Sequence, residues 1–224
     1  MNASLAQRET VSVISAHEEH IEGMVECHVA AFPGEFTTLL GHGYLRMSHR
    51  FYLEQPGGIC LVSLDSPSGR VSGFVKGGDP GLAGQLTHRH MWRMIPVMLL
   101  RAMTNRYFRR RMGYHLSGMM RKIAARFGLA KSSEKHAKPA DDAPGTWSNL
   151  ISVCVHPDYR GQGIGKALME AYRQESLRRG YRFMRLSVHT DNEAAIGLYR
   201  RSGWEPILTT PTGTYFRRST EESA

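Results

Sequence analysis

Three things are scarce in this sequence: cysteine, uninterrupted apolar stretches and, over one segment, acidic residues. Its three cysteines, Cys27, Cys60 and Cys154, are odd in number and far apart, which excludes both a disulfide framework and a paired-cysteine zinc site. A reducing compartment follows. The most apolar stretch, "MWRMIPVMLLRAM" from Met91 to Met103, is cut by Arg93, Pro96 and Arg101, well short of the roughly 20 apolar residues a membrane span needs. The N-terminal "MNASLAQRETVSV" does not show the basic start followed by an apolar run that marks a secretory signal. These absences predict a cytoplasmic protein, at most peripheral to a membrane.

What the chain does hold is an ordinary globular composition, 41% hydrophobic and 22% charged over 224 residues, enough for one domain with a sizeable core. The formal charge of +9 is unevenly placed. Residues 84–138 carry thirteen Lys and Arg against the single acid Glu134, a local charge of +12, and the rest of the chain sums to −3. The basic character therefore belongs to one segment rather than to the fold as a whole.

Hydrophobic periodicity gives the element order. "VSVIS" predicts a strand, followed by a helix with Ile21, Met24, Val25 and His28 on one face. Thr37 and Thr38 are plausible caps for a second helix through Leu40, Tyr44, Met47 and Phe51. "GICLVSL" and "RVSGFVKGG" predict a hairpin. Residues 84–146 then read as an insertion within a single 1–224 domain: basic amphipathic helices broken near Pro96, Gly113 and Gly118, ending in the polar linker "KSSEKHAKPADDAPG". "WSNLISVCV" is a strand, a helix follows from about Gly163 to Arg179, and "YRFMRLSVH" is another strand. A helix opened by Asp191 or Asn192 and closed by Gly203 precedes two last strands. The expected class is α/β of the α+β type, with a mixed sheet flanked by helices.

The most informative stretch is "VCVHPDYRGQGIGKALMEAY", from Val153 to Tyr172. A Walker loop would need glycine where Arg160 stands and Ser or Thr where Ala167 stands. A dinucleotide fingerprint would need its third glycine at Lys166 or Leu168. Both templates fail. What remains is Arg-x-x-Gly-x-Gly, Arg160 through Gly163 to Gly165, after a strand and opening a helix, where free amides and the helix dipole suit a pyrophosphate.

With "DNEAAIGLYRRSGWEP" at its proper distance, this pattern resembles the GNAT family of acetyl-CoA-dependent N-acetyltransferases over about Trp147 to Phe216. The resemblance implies a mostly antiparallel sheet, splayed at the strand carrying Val153, Cys154 and Val155, whose edge pairs with the pantetheine arm of acetyl-CoA. It implies that Arg160, Gly161, Gln162, Gly163, Ile164, Gly165 and Lys166 hold the pyrophosphate. Asn192 would touch the arm, and Tyr199, seven residues on and so on the same helix face, would protonate the leaving sulfur. The Val155 amide would polarise the thioester carbonyl.

For the base that deprotonates the amine, His189 is the leading position, with Asp191, Glu35 or water as alternatives. Cys154 reads as a small buried residue. His88 and His90 lack further ligands, so no metal is expected. His156 is expected to face solvent.

The segment "AAFPGEFTTLLGHGYLRMSHRFY" resembles GNAT enzymes of surface-polysaccharide and amino-sugar pathways. That implies an amino-sugar or nucleotide-linked amino-sugar acceptor, met by Glu35 and Phe36, with Arg109 and Arg110 for its phosphates. The basic insertion fits a lid, an anionic membrane surface or a dimer contact, so the chain is expected as a monomer or homodimer. The rival reading is a catalytically idle CoA-binding sensor or membrane-surface adaptor. A nucleic-acid partner, prompted by charge alone, ranks last.

Overall fold

The computed structural model describes residues 11–105, 108–109, 146–210 and 213–221. Seven strands form one sheet: β1 (Val13–Ser15), β2 (Gly58–Leu64), β3 (Val71–Gly78), β4 (Trp147–Val155), β5 (Phe183–Val188), β6 (Glu205–Thr209) and β7 (Thr214–Ser219), in the order β1-β2-β3-β4-β5-β7-β6. Only the β4–β5 pair is parallel. Parallel neighbours need a crossover, and the helix between these two supplies it. The expected mixed, mostly antiparallel sheet is the one observed.

Six α-helices are described: α1 (Ile21–Ala31), α2 (Phe36–Leu39), α3 (His42–Glu54), α4 (Leu82–Thr104), α5 (Ile164–Arg178) and α6 (Glu193–Arg201). Helices α1 and α3 cover one face of the sheet, where Met24, Cys27, Phe51 and Tyr52 pack on Cys60, Val62, Phe74 and Cys154. On the other face α5 places Ile164, Leu168, Met169 and Tyr172 against Ile59, Leu61, Val75 and Leu150. With both faces covered, β3 is buried along its whole length, which explains why its sequence does not alternate cleanly between apolar and polar.

Two local expectations are corrected. Thr37 and Thr38 do not cap the second long helix; they lie inside the one-turn α2, and Gly41, with φ +95°, opens α3. Thr37 is used otherwise, its hydroxyl lying 3.1 Å from the His28 ring. Helix α4 also runs straight through Pro96 instead of breaking there. Proline removes one N–H, which strands the carbonyl four residues earlier. Here that carbonyl belongs to Trp92 on an exposed helix, where water can satisfy it. The expected breaks at Gly113 and Gly118 and the polar linker lie outside the described residues.

Candidate cofactor and active site

The site begins with an irregularity in β4. Its register against β3 passes from Lys76↔Ser152 to Gly77↔Leu150, so Ile151 is an extra residue, a bulge pushed toward solvent. On its other side β4 pairs with β5 only at Trp147↔Phe183, Ser148↔Met184 and Asn149↔Arg185. Arg185 Nε donates to Asn149 Oδ1 at 2.6 Å at the last of these pairs. Beyond it β5 continues along β7 as far as Val188↔Thr214, while Leu150–Val155 keep only β3. Among the described residues the two strands part here and leave a gap, or slot, at the splay that the sequence resemblance implied.

The edge facing this slot is polar backbone. His156 N–H donates to Ser72 C=O at 2.9 Å, toward β3. Successive strand amides point to opposite edges, so those of Val155 and Val153 face the slot. Val153 and Val155 turn their side chains to the α5 core. Cys154 turns to α1, its Sγ 3.5 Å from Cys27 Sγ. That contact, together with burial, raises the Cys154 thiol well above its ordinary pKa, as befits a neutral thiol packed in a core.

At the end of the slot the chain turns through a 3-10 helix (Pro157–Tyr159) into Arg160, Gly161, Gln162 and Gly163 before α5. Gly161 and Gly163 have φ of +81° and +84°, a region costly to any residue with a Cβ. Among the described residues, nothing beyond the adjoining chain lies within 4 Å of where a Cβ would stand at either position, so the conformation is not imposed by crowding and the space beside the turn is open. Ile164 is buried and anchors the turn to the core. The first intrahelical bond runs from Ala167 N–H to Gly163 C=O at 3.1 Å. The amides of Ile164, Gly165 and Lys166 therefore precede the helical ladder, as donors for an anion. His156, expected in solvent, is half-buried, and its Nδ1 accepts from Asp158 N–H at 3.3 Å.

Tyr199, on α6, packs its ring against Trp204 and Phe216, with centroids 6.0 and 5.8 Å away. Burial pushes its phenol up to about 12, so it holds its proton across the neutral range. Asn192 is the N-cap of α6, and its Oδ1 accepts from Ala195 N–H at 3.1 Å. His189 follows the last residue of β5 and is exposed; its carbonyl accepts from Asn192 N–H at 3.0 Å. Val153 and Val155 of β4, Ile164 at the end of the glycine turn, Val188 of β5 and Tyr199 of α6 belong to one hydrophobic cluster.

The expected acceptor residues lie on other elements. Glu35 is exposed just before α2, and Phe36 stacks on the buried Phe108 at 5.3 Å. Arg109 donates to the carbonyls of Ala102 and Met103 at 2.8 and 3.2 Å, closing the C-terminal end of α4. Arg110 lies outside the described residues. No group of three or more metal-ligating side chains occurs among the described residues.

A polar cluster under α1 and α3 escaped the sequence reading. Lys76 on β3 is fully buried beside Ser48, His49 and the Tyr52 ring, and His28 stacks on Phe74 nearby. A lysine inside "RVSGFVKGG" and a histidine on the apolar face of α1 were the signals that could have revealed it.

Residues 118–204 match the model of the acetyltransferase (GNAT) family. A stretch of 53 residues is 40% identical to acetyltransferase ECA0875 of Pectobacterium atrosepticum, covering 24% of this chain and 38% of that protein. Another of 57 residues is 40% identical to the [ribosomal protein bS18]-alanine N-acetyltransferase of Escherichia coli K12, covering 25% and 38%. The chain thus spans well under half the length of these relatives. In three dimensions the likeness extends further. The crystal structure of the Escherichia coli ribosomal-protein-S18-alanine N-acetyltransferase superimposes with a TM-score of 0.54 at 13% identity, over 96% of this chain and 97% of the other. The PaiA N-acetyltransferase of Thermoplasma acidophilum, solved with coenzyme A, gives 0.51 at 11% identity, over 94% and 99%. Residues 118–204 carry the acetyltransferase (GNAT) family's pattern, within a chain whose fold is the one these solved acetyltransferases share.

Proposed function

We propose that this chain transfers an acetyl group from acetyl-CoA to a primary amine by direct attack on the thioester. One observation supports this above the others: the unpaired edge of β4 leads straight into the open glycine turn at the start of α5. An extended chain ending in a diphosphate needs those two surfaces in that order. Val153–Val155 would receive the pantetheine arm as an added strand, and the amides of residues 161–166, flanked by Arg160 and Lys166, would hold the pyrophosphate. The exposed amide side chain of Asn192 would meet the arm from α6.

Acetyl-CoA supplies an activated acyl carbon and a thiolate leaving group. The amine lone pair forms the C–N bond and the C–S bond breaks. The Val155 N–H would stabilise charge growing on the carbonyl oxygen, a donor worth roughly 3 kcal/mol in such sites. Tyr199, protonated at neutral pH, would give its proton to the departing sulfur. His189 would take the proton the amine must lose.

For the acceptor we infer an amino sugar, free or nucleotide-linked, with Glu35, Phe36, Arg109 and Arg110 on its side of the slot. Residues 84–146 would be an insertion serving that side within one domain, and α4 forms its first part. The test is a panel of amines with acetyl-CoA, read as thiol release: sugars, nucleotide-linked sugars, lysine and a peptide with N-terminal alanine. Fastest turnover with a nucleotide-linked amino sugar is expected. Preference for the peptide would overturn the acceptor, and tight CoA binding without turnover on any amine would make the chain an idle CoA-binding module.

A further inference from the structure

Helix α4 shows its apolar side to solvent. Trp92, Leu99, Leu100 and Met103 are 82%, 60%, 60% and 79% exposed. At 100° per residue they fall with Pro96 on one face, while Met94, Met98 and Ala102, spaced by four, are half-buried on the opposite face. Among the described residues, packing of the helix against its own protein is carried by a stripe spaced by four that starts at the buried Leu82 and Leu86, continues through His90 to Met94, Met98 and Ala102, and winds away from the exposed side chains. A contiguous exposed stripe of this size marks a surface built for a partner.

Charge identifies the partner. Helix α4 has no acidic residue over its 23 positions, and Arg89 and Arg93 border the apolar face. The surrounding segment 84–138 has a net charge of +12. No described helix is long and apolar enough to cross a membrane. A helix with an aromatic and aliphatic face bordered by arginines is suited to lie in the plane of a bilayer. We propose that α4 docks on a membrane surface carrying anionic lipids, with Trp92, Leu99, Leu100 and Met103 entering the headgroup boundary and Arg89 and Arg93 meeting lipid phosphates.

The last turns of α4 lie beside the segment where the acceptor residues gather: the Arg101 guanidinium approaches Gly41, and Phe108 stacks on Phe36. Docking would therefore bring that side of the protein to the membrane. The proposal rests in no part on acetyl transfer, and its test contains no acetyl-CoA.

The chain has three tryptophans. Trp147 and Trp204 are 2% and 3% exposed, so an emission change on binding reports Trp92. The full chain is titrated with vesicles of phosphatidylglycerol and phosphatidylcholine, and with phosphatidylcholine alone. The expected result is a shift of emission to shorter wavelength with the anionic vesicles, co-sedimentation that weakens as salt is raised, and a loss of about thirtyfold in partitioning for the double variant Arg89→Gln/Arg93→Gln. Leu99→Ser/Met103→Ser should lose partitioning while its melting temperature stays within a few degrees, because both side chains face water. Equal binding to both vesicles, or no binding by the wild type, overturns the proposal. So does a concentration-dependent shift of Trp92 emission without lipid, which would assign the stripe to a second copy of the chain.

Discussion

The buried Lys76 ammonium donates to the Ser48 hydroxyl at 2.9 Å, and no carboxylate among the described residues pairs with it. Its titratable neighbours include His49, whose Nδ1 lies 3.4 Å away, His28 beyond it, Tyr52, whose ring centroid is 5.4 Å away, and the Cys60 and Cys154 thiols. Burial lowers Lys76 to about 8. Below that pH the native state carries a cation in its core that the unfolded chain would solvate, a cost on the order of 3 kcal/mol. As pH rises from about 8 toward 10.5, the native lysine gives up its proton before the unfolded one, so this cost disappears and stability rises through that window. Denaturant melts at pH 7 and pH 10 should show the rise. Lys76→Met should abolish it and raise the melting temperature at pH 7; a lower one would show that the ammonium stabilises the fold.

The same cluster sets the acid limb. Burial, with Lys76 close by, holds His28 at about 4 and His49 lower still. Between about 6.5 and 4 the unfolded chain takes up protons that the native rings refuse, so stability falls as pH falls. His49→Phe, in double-mutant comparison with Lys76→Met, should flatten that limb; an unchanged slope would place the proton uptake elsewhere.

Gly163 and Gly165 are expected to separate backbone strain from ligand clearance. Gly163→Ala must hold φ +84° with a Cβ, at about 1–2 kcal/mol, so it should lower both melting temperature and acetyl-CoA affinity. Gly165 is helical, and its added methyl would meet Val155 Cγ2 at an ordinary 3.6 Å. Gly165→Ala should therefore stabilise the apo chain by about 0.5–1 kcal/mol while raising the KM for acetyl-CoA. Unchanged KM in both variants would refute pyrophosphate binding at this turn.

Tyr199→Phe keeps the ring contacts with Trp204 and Phe216 and removes only the hydroxyl. With Tyr199 as general acid, kcat should fall about 10²-fold or more with little change in melting temperature. Tyr199→Ala should in addition lose about 3–5 kcal/mol from the core. Full activity in Tyr199→Phe would leave the sulfur to be protonated by water.

His189→Ala, at an exposed position, should leave the melting curve unchanged and reduce kcat/KM by about 10²-fold at neutral pH. An unaltered pH–rate profile would assign deprotonation of the amine to solvent.

How much of this was legible before the fold was known depends on whether the signal was local. The turn from Arg160 to Gly165 is written in consecutive residues, and β4, α5 and α6 fell where periodicity and caps placed them. The divergence of β4 from β5 depends on register between strands nearly thirty residues apart in sequence; no local pattern encodes it, and only the family resemblance implied it. Helix α4 was misread because Pro96 is a breaker by propensity, whereas its effect depends on whether water can reach the stranded carbonyl. The Lys76 cluster was missed for a related reason: a lysine in a strand reads as solvent-facing until α3 is packed over it.

Only three residue pairs join β4 to β5, reinforced by the Trp147 and Phe183 rings at 5.0 Å and by Arg185 over Trp147. The sheet is thus two panels stitched by one short seam, and strands β5 to β7 owe their attachment to it and to packing against α5 and α6. An extended ligand bridging the gap would act as a second seam. Occupancy would then reach well past the reaction centre, slowing amide exchange across the C-terminal panel and making the chain's resistance to heat a measure of what lies in the slot.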